Sequence, residues 1–169
     1  MRGFWVALTA IAIVLLPAVA MADPTACDLL TKADVEQVTG LSVDDPILQK
    51  LGEDHLCGGF CGGRGSSCTF TSSAGHSVVL TFMLPPLGPG DMKAGVRMAA
   101  ESAGKQISDI DDLGTTGLWT FVNGDGELSF FFEPRFRITV SQNAIVDQSH
   151  ALADARALAK IALSRSDAR

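Results

Sequence analysis

The sequence has no cluster of lysine or arginine longer than the pair Arg135 and Arg137, and its 13 basic residues face 19 acidic ones for a net charge of −6. Nucleic acids and anionic membrane surfaces are bound through basic stripes, so both are poor partners for this chain. Also missing are a Gly-x-Ser-x-Gly elbow, a cysteine-histidine protease signature, a Cys-x-x-Cys-His haem motif and a Gly-Lys-Ser/Thr phosphate loop. No catalytic residue and no cofactor is therefore assigned. The acidic run Asp109, Asp111 and Asp112 fails as a calcium loop, because Leu113 takes its fifth position and Thr120 its twelfth. After the first apolar stretch, no run is long enough to cross a bilayer, which excludes an integral membrane anchor.

That first stretch, Phe4 to Leu16, is about thirteen residues long and follows Arg2. It is shorter than the ~20 residues of a spanning helix and reads as the core of a signal peptide. Pro17 ends it, and Ala18, Ala20 and Ala22 supply two A-x-A steps. The expected organisation is a signal peptide over 1–22 and a single exported domain over 23–169, periplasmic or secreted. Without Arg2 the 13 basic residues become 12 against 19 acidic, a net charge near −7.

The chemically richest segment is HLCGGFCGGRGSSC, residues 55–68. It holds His55, Cys57, Cys61 and Cys68, while Cys27 lies upstream. In an oxidising compartment an even cysteine count favours disulfides, and four cysteines permit three pairings. The preferred one joins Cys27 to Cys68 across a long loop and Cys57 to Cys61 across a short one. The alternative is a metal or thiol-redox site using His55, Cys57, Cys61 and Cys68, with His76 nearby. Its spacing matches no tight zinc knuckle, and Cys-x3-Cys followed by glycines opposes the helix N-terminus that activates redox cysteines. Glycines here let a cross-linked backbone turn sharply.

Residues 26–39 carry a helical pattern ended by Gly40, with Thr31 and Asp34 spaced as a capping box. Residues 41–56 read as a loop with at most a short turn. CTFTS (68–72) and SVVLTFML (77–84) predict a hairpin. A helix capped by Asp91 follows over 92–103, then a short strand from Ile107 to Asp112. GLWTFV (117–122) and ELSFFFE (127–133) flank Asn123-Gly124-Asp125-Gly126, a strong hairpin turn. RFRITVSQ alternates, with Phe136, Ile138 and Val140 on one side and Arg135, Arg137, Thr139 and Ser141 on a wet one. A last helix is expected over 147–164, capped by Asp147. Hairpins in series predict an α+β fold: a disulfide-stapled antiparallel sheet of five to six strands with three helices packed mainly on one face.

The opening CDLLTKADVEQVTG, CTF at 68–70, DDLGTTGLW and the alanine-rich ALADARALAKIAL resemble a widespread group of small secreted bacterial domains of unknown function. Their mature chains open with Cys-x-Leu-Leu-Thr-x-x-Asp/Glu-Val and carry a later Cys-x-aromatic strand. The resemblance spans most of residues 26–163. It implies an exported α+β domain, often a lipoprotein, with the first cysteine bonded to the strand cysteine, and no catalytic residues. This chain departs from the pattern in lacking a lipobox and in adding Cys57 and Cys61.

Trp119, Phe121, Phe130, Phe131 and Phe132 put aromatic groups on both sides of two paired strands. One reading is a central hairpin covered on both faces. The other is an apolar groove or dimer surface on the face that the helices leave open. The functional expectation is a non-enzymatic exported domain that binds a protein partner or an apolar ligand, with a homodimer as one form of partner.

Overall fold

A computed structural model describes residues 24–51, 64–84, 89–132, 136–145 and 147–166. In chain order the elements are α1 (Ala26–Leu29), α2 (Lys32–Thr39), β1 (Ile47–Leu51), β2 (Arg64–Thr71), β3 (Ser77–Leu84), α3 (Pro89–Ser102), β4 (Gln106–Asp112), β5 (Thr115–Val122), β6 (Asp125–Phe132), β7 (Phe136–Gln142) and α4 (Gln148–Ser166). All seven strands form one antiparallel sheet in the order β1-β2-β3-β7-β6-β5-β4. The α+β class stands; the described residues hold seven strands and four helices rather than five to six and three.

The helical pattern over 26–39 splits because Leu30 is extended (φ −140°, ψ 128°) and Thr31 starts a new helix. The Thr31 backbone N–H donates to the Asp34 carboxylate at 2.7 Å, and Asp34 N–H returns a bond to the Thr31 hydroxyl at 3.3 Å. Gly40 closes α2 at φ 69°, as its position implied. Burial pulls the Asp34 pKa upward, but hydrogen bonds from Arg165 and from the hydroxyl and backbone of Thr31 outweigh it and hold the carboxyl at about 2. The Arg165 guanidinium grips both Asp34 oxygens at 2.6 and 2.9 Å and also donates to the Leu29 carbonyl. Because the folded pKa lies below its ordinary 3.8, this stabilisation is complete above about pH 4 and disappears as pH falls through 2. Asp34→Asn should therefore cost roughly 1 kcal/mol at neutral pH, with the difference from wild type narrowing below pH 4 in thermal melts.

The β5–β6 hairpin turns on Asn123 (φ 49°) and Gly124 (φ 87°), the paired positive φ of a type I′ turn. Its register sets Trp119 opposite Leu128 and Gly117 opposite Phe130. Side chains then alternate between two covered faces. On one, Phe70, Leu80, Val140, Leu128, Phe130 and Trp119 pack against α1, α2 and α4 through Leu29, Val35, Ala155, Leu158 and Ala162. On the other, Leu118 and Phe131 pack under Met92 and Val96 of α3. Helices thus cover both faces, and the expectation of helices mainly on one face holds only for α1, α2 and α4. Helix α3 begins at Pro89, so Asp91 lies in its first turn instead of capping it. Asp147 does cap α4, its carboxylate accepting from the backbone of Ser149 at 2.9 Å and His150 at 3.2 Å.

Strand β7 is central, between β3 and β6, and the side of it expected to be wet is only partly so: Thr139 is 4% exposed, while Ser141 is half-buried. The reason is Arg137, which lies along that face with its guanidinium 5.7 Å from the Phe131 ring centroid. It donates to Glu127 and Ser129, each at 3.0 Å, and Ser129 meets the Thr139 hydroxyl at 3.0 Å. A short polar ladder here is roofed by a long cation.

Candidate functional site

Cys68 sits in β2 and is bonded to Cys27 in α1, which fixes the first helix to the sheet. Cys68 is thereby removed from the thiolate set that the metal and redox alternative needed. His55, Cys57 and Cys61 lie outside the described residues. His76 stands just before β3 and His150 in the first turn of α4, where its imidazole is 3.5 Å from the Asp154 carboxylate. Burial raises the Asp154 pKa, and the His150 charge offsets part of that rise. Among the described residues, no group of three or more histidine, cysteine, aspartate and glutamate side chains is placed to hold a metal ion.

The aromatic surface is not open. Trp119, Phe130, Phe131 and Phe132 are all buried, and Phe121 is half-buried beside Trp119, their ring centroids 6.5 Å apart. The physical reason is that Leu118 and Trp119, like Phe130 and Phe131, are consecutive and apolar, so both faces of the hairpin need a cover and each has one. Of the two readings of these residues, the covered central hairpin is the one found. The Trp119 indole also presses on Gly126, where an added Cβ would come within 2.3 Å of the ring.

Among the described residues, open depressions mark the surface in three places. One of about 630 Å³ joins Trp119 and Ser108 to the start of α4. One of about 270 Å³ lies between Lys105, Glu127 and Ser141, and another of about 260 Å³ between His76, Ile145 and Asp154. Their walls mix polar and apolar groups, and none offers the enclosed apolar lining that a greasy small molecule requires.

The Arg137–Glu127 pair is a largely buried ion pair within the sheet. Arg137 keeps only 12% of its side chain exposed, and its buried Nε has no hydrogen-bond partner among the described residues. Burial depresses its pKa, and Glu127 pushes it part of the way back. Removing one member leaves a buried charge alone, at a cost of about 3 kcal/mol. Glu127→Ala should show that loss in urea unfolding, whereas Glu127→Leu combined with Arg137→Met should recover most of it.

The two edges of the sheet differ. At β4, Asp109 is bonded to Lys93 at 2.9 Å and Arg97 at 2.6 Å, which hold its carboxyl below the usual range, and Asp112 faces Arg156 at 3.6 Å. Charges along an edge block pairing with other chains. At β1 the sequence ILQKL carries one charge, and Ile47 and Leu48 are 68% and 43% exposed. This strand lay in the region expected to be a loop. Five residues without alternation gave no period to read, although Pro46 just ahead of Ile47 marks the start of an edge strand.

Among the described residues, fold and site together define an α+β domain with helices on both faces of one antiparallel sheet and β1 as the last strand at one edge. No family model matches the chain. No curated protein matches it. A crystal structure described as a GTP-binding regulator from Thermotoga maritima is similar over 79% of this chain and 90% of that one, with 11% identity and a TM-score of 0.41. At that TM-score the likeness carries no argument about this chain. No helix among the described residues is long and apolar enough to cross a membrane.

Proposed function

We propose that the chain is a non-enzymatic exported domain whose partner is a polypeptide bound along β1. The carrying observation is the exposed pair Ile47 and Leu48 on an edge strand with one charge, on a sheet whose other edge is walled by ion pairs. Strand addition suits such an edge, because the main chain supplies the bonds and alternate side chains the selectivity. Export is supported by the leader-like run Phe4 to Leu16, by the Cys27–Cys68 bridge and by the resemblance to small secreted bacterial domains. An apolar small molecule is less well served, since the aromatic groups are buried and the depressions are open.

The test places a photo-crosslinking amino acid at Leu48 or, as a control, at Met98 of α3, which is 69% exposed. Both chains are expressed with the native leader and irradiated in intact cells. A discrete adduct at position 48 and none at 98 is the expected result, on a chain whose intact mass shows processing after Ala22. No adduct at 48, equal adducts at both positions, or an unprocessed cytoplasmic chain would overturn the reading.

A further inference from the structure

We infer that the polypeptide paired with β1 is the same strand of a second copy of this chain, joined antiparallel about a two-fold axis. This rests on the edge-binding reading above and names its occupant. An antiparallel pair has two-fold axes at residues opposite their own copies, which permits a register with Leu48 facing Leu48. Lys50 of one copy then lies opposite Pro46 of the other, one residue from Asp45. The Asp45 side chain is 98% exposed and lies 3.6 Å from the Lys32 ammonium. The acidic Asp44 and Asp45 lie in the lead-in to β1 and the basic Lys50 near its other end, so antiparallel self-pairing carries Lys50 of each copy toward the acidic lead-in of the other, twice.

The other edge lacks this self-complementarity. Centred on its own copy, β4 would set Asp109 against Asp109, with Lys93 and Arg97 already filling the flank. Pairing β1 of one copy with β4 of the next would be head to tail, giving a ring or an open filament rather than a two-fold dimer. Two-fold pairing through β1 closes at two copies, gives a continuous sheet across both and covers Ile47 and Leu48. The contact is a single five-residue strand, small for a protein interface, so the dimer should be reversible with a dissociation constant of roughly micromolar order.

Sedimentation velocity of the processed, oxidised chain across a wide concentration range tests this, together with hydrogen exchange of the β1 amides. Wild type should pass from monomer to dimer, and the amides of residues 47–51 should slow as it does. Leu48→Lys places two ammonium groups at the axis and should weaken the dimer on the order of 100-fold. Because Leu48 is 43% exposed, its melting temperature and circular dichroism should stay at wild-type values. Lys50→Pro, which removes an N–H that points away from β2, should act the same way. A dimer untouched by Leu48→Lys, or assembly that grows without limit, would overturn the inference. So would a wild-type monomer: fast β1 amides in it would leave the edge open for a different polypeptide, whereas slow ones would sink the edge-binding reading too.

Discussion

Replacing Cys27 and Cys68 with alanine together should lower stability by about 4 kcal/mol, the chain-entropy value for a bridge between residues 41 apart. Cys68 is fully buried in β2, between the β1 and β3 strands at Leu48 and Leu80. The bridge carries α1 with it, and Ala26 N–H donates to the buried Ser66 hydroxyl at 2.7 Å. Its loss should therefore free α1 before the sheet opens. Urea unfolding with and without reductant measures the first effect, and hydrogen exchange at residues 26–29 the second. A loss under 1 kcal/mol would mean that the unfolded chain is already compact, since the bridge acts chiefly by restricting it.

Phe130→Ala should cost a similar 4 kcal/mol, toward the upper part of the range for a buried phenylalanine. Its cross-strand neighbour is Gly117, and the Phe130 ring lies over the space a side chain there would fill, 2.8 Å from an ideal Cβ. With no side chain at Gly117 to relax inward, the cavity stays open. Phe131→Ala, on the face covered by α3, should cost less because its cluster is small and Met92 can shift to follow. Chemical denaturation of both variants gives the order. A larger loss at Phe131 would mean that α3, not α4, covers the more important face.

The readable parts of the fold were those where local chemistry decides. Asn123 and Gly124 dictate their turn, Gly40 its cap and Asp147 the start of α4. What the sequence hid depends on neighbours far along the chain. Strand β1 exists because β2 offers an edge to Ile47–Leu51, which show no period of their own. The wet reading failed at Thr139, which is buried, while Ser141 stays half-buried, because a short hydroxyl residue alternates the same way whether water or an arginine lies above it. The free edge, which carries the candidate site, is set by strand order, and strand order depends on which distant segments pair.

The clasp between Asp34 and Arg165 joins residues 131 apart. A chain that emerges N-terminus first, from the ribosome or through a membrane pore, presents Thr31 and Asp34 long before α4 exists. Cys27 and Cys68 can meet once β2 is out, but β3 must wait for β7, its partner in the sheet, and Asp34 for the last turn of α4. Completion is held to the end of synthesis. Until then the apolar strand β3 stands without its β7 partner and its helical cover, so the half-made molecule exposes apolar surface that the finished one buries.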